Sequence, residues 1–189
     1  MSDPKDTIYE ADPHTRAKHA ILREYMKRWL PILSRQARNV GSGQRLLYVD
    51  GFAGAGEYTN NVQGSPLVAI DAAAQHSHEF TVPIVFVFVE QRKDRVDHLR
   101  NLIATKKHAI LGRKQLVVEP IEGDCETEVL RIIDEHENQG KKLGPAFFFL
   151  DQFGYSSFSM DLVNRILGHD VCEVFSYLNW NLLHPFMTD

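Results

Sequence analysis

Residues 83–90, PIVFVFVE, narrow the possible folds more than any other stretch of the chain. The run is apolar on both alternating sets of positions, so a strand built from it has no face to offer water. It must be covered on both sides, as in a parallel sheet sandwiched between helices. Two more runs of the same kind, Arg45 to Asp50 (RLLYVD) and Pro145 to Leu150 (PAFFFL), repeat the pattern. Further strands are predicted over 115–119 and 172–178. Helical spacing fills the intervals. From Thr15 onward, Ile21, Leu22, Tyr25, Met26, Trp29, Leu30 and Leu33 fall on one helix face, and Pro31 is expected to kink or split that helix near Trp29. Gly64-Ser65-Pro66 opens a helix through Ala74, with Ser65 as the expected cap and Pro66 at the first helical position. Further helices are predicted over 92–107, 127–138 and 160–167. Strand and helix alternate five times, which predicts an α/β, Rossmann-like fold. Its sheet should be mostly parallel, with strand order 3-2-1-4-5, helices on both faces and an N-terminal helix in front.

Residues 1–14 read as a polar tail and 15–189 as a single domain. Trp180, Leu182, Leu183 and Phe186 crowd the end of the chain just after the fifth strand, and further C-terminal elements are expected beyond them. No apolar run approaches the roughly 20 residues of a membrane span. The two cysteines, Cys125 and Cys172, suggest neither a disulfide framework nor a zinc site, which fits a reducing, cytoplasmic setting.

Leu46 to Tyr58, LLYVDGFAGAGEY, joins a buried strand to a glycine-rich turn of the type that lets backbone approach a ligand. A phosphate-binding P-loop would need Lys after the glycines, and none follows. A dinucleotide fingerprint would need a third glycine, but Gly54-x-Gly56 runs on into Glu57, Tyr58 and Thr59. Glu57 would also repel a pyrophosphate. S-adenosylmethionine carries a sulfonium and an ammonium and no phosphate, so an acid at Asp50 favours it. The other strand ends agree. Glu90 closes the second strand, where a carboxylate can accept ribose hydroxyls. Asp124 follows the third, placed to accept from an adenine amine. Asp151 ends the fourth, beside Gln152, Phe153 and Tyr155. A carboxylate and a main-chain carbonyl that accept the N–H groups of an amine, with an aromatic ring to stack on its base, form an amine-activating set. Ser65 is expected to line the same site, and Lys18 with His19 to reach the cofactor's carboxylate if their helix packs over the glycine turn, the alternative being a plain surface pair.

The formal net charge is -4, but two segments are basic. Residues 14–38 carry Arg16, Lys18, Arg23, Lys27, Arg28, Arg35 and Arg38 against Glu24 alone. Residues 92–114 carry eight Lys and Arg against Asp94 and Asp97. Either could face the phosphates of a nucleic acid, and either could be a solvated helix face.

The turn YVDGFAGAG and the sequence DQFGY resemble the first and fourth motifs of adenine- and cytosine-amino methyltransferases. A longer ordered set resembles the three-Cys-motif partner (TcmP) family: the helix KHAILREYMKRWLPIL, then YVDGFAGAGEY, GSPL, VFVE and FFFLDQFGY. The resemblance implies a Rossmann-like methyltransferase fold and S-adenosylmethionine as cofactor. It places Asp50, Phe52, Gly54 and Gly56 at the cofactor, Glu90 at its ribose, Asp124 at its adenine and Asp151 at the target amine. It also implies a protein partner. Gln152 departs from the family's proline, keeping the carbonyl but freeing its direction. Two functions are therefore expected to compete: methyl transfer to a nucleic-acid base, or cofactor binding without turnover by a partner-binding module.

Overall fold

The computed structural model describes residues 5–39, 45–106, 115–152 and 157–177. In chain order the elements are α1 (Pro13–Asn39), β1 (Leu46–Asp50), α2 (Ser65–Ala74), β2 (Ile84–Glu90), α3 (Lys93–Thr105), β3 (Leu116–Glu122), α4 (Cys125–Asn138), β4 (Ala146–Leu150), α5 (Met160–Leu167) and β5 (Cys172–Ser176). The strands form one sheet in the order β3-β2-β1-β4-β5, every pair parallel. The fold is α/β and Rossmann-like, and the sheet is wholly rather than mostly parallel.

Two apolar layers hold the sheet. On one side α1, α2 and Leu99 of α3 pack on Tyr48, Phe86, Phe88, Phe147 and Phe149. On the other, Val129, Ile132 and Ile133 of α4 and Leu162 and Ile166 of α5 pack on Leu47, Val49, Val87, Val89 and Phe148. The central strands are buried along their whole length, as their composition demands.

Three details depart from the sequence expectations. Helix α1 starts at Pro13 and runs through Pro31 without a break. Proline leaves the carbonyl four residues back unsatisfied, and here that carbonyl, Lys27 O, lies 3.0 Å from His76 Nε2. His76 Nδ1 accepts the N–H of His78, which leaves the proton on Nε2 to donate. Strand β3 runs three residues beyond the predicted 119, through Pro120. It pairs with β2 alone, and an edge strand tolerates a residue without an N–H. Ser65 does not cap α2: Gly64 is the N-cap, without a side-chain bond, and Pro66 is the second helical residue.

The segment before α1 lies against the body. Thr59 N donates to Tyr9 O at 2.9 Å, Thr7 Oγ1 to Asp94 at 2.5 Å, and Ala11 is buried. Cys125 and Cys172 are both free. No helix among the described residues is long and apolar enough to cross a membrane.

Candidate functional site

Side chains alternate across a strand, and that parity gathers the site. Asp50 follows Tyr48 on the α1 face of β1, Glu90 follows Phe88 on β2, and Asp151 continues the alternation of Phe147 and Phe149 past the end of β4. The register sets Asp50 level with Phe88 and with Phe149, so Glu90 and Asp151 each stand two residues further along. The three carboxylates therefore leave the same sheet face at the same edge. A cavity of about 470 Å³ opens there, lined by Glu90, Asp124, Glu126 and Asp151 together with Lys18, His19 and Arg95. That volume falls in the roughly 300–1,000 Å³ range of small-molecule sites.

Asp50 sits behind the cavity wall with no exposed surface. Its Oδ1 accepts the N–H of Phe52 at 3.1 Å, and its Oδ2 has no hydrogen-bond partner among the described residues. Burial pushes its carboxyl up to about 7. A polar interaction with Ser65 and the Phe52 N–H pull the other way, while Asp151 and Glu90 add to the rise. Ser65 thus serves Asp50, where the sequence suggested a helix cap. Tyr48 stands close enough for Asp50 to raise its phenol further than burial already does, yet its hydroxyl makes no hydrogen bond of ordinary geometry with any described residue.

The glycine turn is shaped by its conformation. Gly54 and Gly56 have φ of +63° and +86°, which side chains disfavour. Gly54 lines the cavity, and its N–H donates to Glu90 Oε2 at 3.0 Å. Gly56 does not line it: a Cβ there would stand 2.6 Å from Leu99 Cδ1, so this glycine lets α3 approach the turn. Glu57 turns toward His98 at 2.9 Å, away from the cavity wall. Glu90 Oε1 takes the N–H of Arg92 at 2.8 Å, so this one carboxylate ties the turn after β1 to the turn after β2. Phe52 lines the cavity and packs against Phe158.

Asp124 caps α4, its Oδ1 accepting from Thr127 N at 3.0 Å and from Thr127 Oγ1 at 3.1 Å. It remains exposed on the cavity wall. Asp151 Oδ2 is 2.6 Å from Lys18 Nζ, which also lies 4.9 Å from the centre of the Tyr177 ring. Lys18 therefore reaches the acid after β4. Burial raises the Asp151 carboxyl and Lys18 offsets part of the rise; Asp151 Oδ1 has no hydrogen-bond partner among the described residues. Gln152 Oε1 accepts the N–H of Ser157 at 2.8 Å. Phe153 and Tyr155 lie outside the described residues.

Sequence reasoning missed part of the wall. Tyr9 and Arg95 line it, Arg95 stacking over the Tyr9 ring at 5.6 Å, and Tyr58 packs edge-on to Tyr9. Tyr9 belongs to a stretch without periodicity, and only its aromatic character among polar neighbours marked it. His19 is buried with Nδ1 unpartnered among the described residues, and burial first, then Lys18, lowers it to about 4. The cavity thus has an acidic wall, and Asp151 Oδ1 on it and Asp50 Oδ2 behind it have no hydrogen-bond partner of ordinary geometry among the described residues. A buried carboxylate oxygen left without a donor is destabilising by about 1–3 kcal/mol unless the group is protonated or a donor reaches it. Comparison of this chain with protein-family models, with curated proteins and with solved structures finds no match.

Proposed function

We propose that this chain is an S-adenosylmethionine-dependent methyltransferase that acts on an amino group of a nucleic-acid base, in keeping with its resemblance to the TcmP family. One observation carries the proposal: Glu90 and Asp151 line a cavity at the strand edge where Rossmann-like sheets take ligands, Asp50 stands behind its wall, and Asp151 Oδ1 has no hydrogen-bond partner among the described residues. Such a wall suits an extended organic cation. No set of three or more His, Cys, Asp or Glu side chains is placed to hold a metal ion among the described residues.

When bound, S-adenosylmethionine supplies a methyl group on a positively charged sulfur. The residues of the chain then have separable tasks. Gly54 leaves room beside the turn, since a Cβ there would meet nothing within 4 Å. Each oxygen of Glu90 takes one backbone N–H and retains a lone pair for a ribose hydroxyl. Asp50 adds negative charge behind the turn. Asp151 Oδ1 accepts an N–H of the target amine, returning electron density to a nitrogen whose lone pair is delocalised into the base. Burial makes this carboxylate a better acceptor, and Lys18 holds its orientation.

The Lys18–Asp151 pair also supports a second reading. A cation at 2.6 Å weakens Asp151 as an acceptor, as in a cofactor-binding module that recruits a protein partner without turnover. Calorimetry with S-adenosylhomocysteine, followed by methyl-transfer assays on DNA and RNA oligonucleotides, separates the two. Methyl transfer predicts micromolar binding, and Asp151→Ala should keep affinity within about threefold while lowering turnover by at least about a hundredfold. Binding without turnover on any oligonucleotide selects the module, and a folded chain that does not bind rejects both.

A further inference from the structure

The two basic segments carry a similar excess of charge, and the fold uses them differently. Along the second, every described cation is engaged. Arg92 pairs with Asp94 at 2.7 Å, Lys93 with Asp97 at 2.8 Å, Arg100 with Asp97 at 3.2 Å and Lys106 with Asp71 at 3.5 Å. Arg95 is buried against Tyr9. Along α1, Lys18 is held by Asp151 and Lys27 by Glu24. Arg16, Arg23, Arg28 and Arg35 make no ion pair with any described residue. Three of these are exposed and Arg23 is half-buried.

Their spacing makes them a band. Arg16 and Arg23 are seven residues apart, as are Arg28 and Arg35, so each pair stacks along one side of the helix. The band winds over the solvent side of α1, opposite the buried stripe of Leu22, Met26, Trp29 and Leu33. At 1.5 Å per residue it spans about 28 Å, comparable to roughly eight nucleotides of one strand at 3.4 Å each. One end meets the cavity, because Thr15, Lys18 and His19 of the same helix line the wall near Asp151. The exposed apolar residues Ile21 and Tyr25 turn instead toward Phe147, Phe149 and Phe175 at the β5 edge.

We propose that α1 is the docking surface for the phosphodiester backbone of a nucleic-acid strand, gripped by Arg16, Arg23, Arg28 and Arg35, and that α3 takes no part. This rests on the nucleic-acid half of the proposed function and assigns it a surface. Guanidinium groups suit phosphate oxygens through paired N–H donors. A strand laid along the band passes the cavity mouth, where a base turned out of the strand meets Asp151.

Fluorescence anisotropy with 20-nucleotide single-stranded DNA and RNA over a range of salt tests the surface. A triple variant, Arg16→Ala with Arg23→Ala and Arg28→Ala, is expected to lose at least about tenfold in affinity, with the log–log salt slope shallower by about 2. A Lys93→Ala, Arg100→Ala variant should stay within about twofold of wild type. The stronger of the DNA and RNA arms identifies the sugar. Unchanged affinity in the α1 variant, or an equal loss in the α3 variant, overturns the surface and leaves the proposed function standing. Wild-type protein that binds neither strand overturns both the surface and the nucleic-acid substrate. Preference for phosphatidylserine vesicles over both strands overturns it in favour of a membrane surface. Calorimetry of the same variants with S-adenosylhomocysteine reads the cavity separately, so a loss confined to it speaks against the cofactor site and not against α1.

Discussion

Asp50 combines complete burial, an oxygen without a hydrogen-bond partner among the described residues, and a carboxyl held at about 7 in place of its ordinary 3.8. Between those two values the folded chain keeps a proton that the unfolded chain gives up. Stability contributed by this group therefore falls as pH rises through that window. His19 works in the opposite sense. Its folded state, lowered to about 4, refuses a proton that the unfolded chain takes below 6.5, so its contribution is lost as pH falls from 6.5 toward 4. Asp50→Asn keeps an oxygen for the Phe52 N–H and removes the ionisation. Chemical denaturation should find the variant more stable than wild type at pH 8, by about 2 kcal/mol more than at pH 5. The same variant should bind S-adenosylhomocysteine at least about tenfold more weakly by calorimetry. Equal stability gains at both pH values would show that Asp50 does not titrate in this window. The position trades stability for charge, a pattern met at binding sites rather than in cores built only for packing.

Helix α1 shows how an element can pass a local breaker. Proline inside a helix is usually destabilising by about 3 kcal/mol or more, partly through the lost hydrogen bond. Here His76, from the turn after α2, donates to the freed Lys27 carbonyl, while Leu22, Met26, Trp29, Leu30 and Leu33 anchor the helix on the sheet. Burying each of the larger side chains is worth about 1.5–3 kcal/mol, which outweighs the disruption at Pro31. His76→Ala should lower stability by about 1 kcal/mol in urea denaturation. Hydrogen exchange should quicken around Lys27 more than at the helix start, and uniform exchange along α1 would show that the bond to Lys27 is not what steadies the helix. Strand β3 follows the same logic: the sequence reading ended it at 119, and pairing with β2 carries it through Pro120 to Glu122.

For the whole molecule, the cavity is assembled from the N-terminal segment, α1 and the turns after β1, β2, β3 and β4, so any ligand bridging them should stabilise the fold as a unit. S-adenosylhomocysteine at a hundred times its dissociation constant should add about 2.7 kcal/mol to unfolding. Thermal melts should rise with ligand concentration, and a melt that does not move would argue against the cofactor assigned here. Much of this architecture was legible in advance. Apolar runs of strand length, helical spacing and glycine turns are local signals, and they determined the element order, the parallel sheet and the carboxylates at successive strand ends. The strand parity that sends Asp50, Glu90 and Asp151 to one face is also local, since it follows from alternation. What remained depended on residues distant in sequence. That Lys18 would reach Asp151, that Tyr9 and Arg95 would wall the cavity, that Gly56 would serve α3, and that the described cations of one basic segment would be engaged while four arginines of the other paired with no described acid, only the tertiary structure decided. A periodic pattern reports which side of an element is buried; which side chain stands opposite is set by how the elements pack.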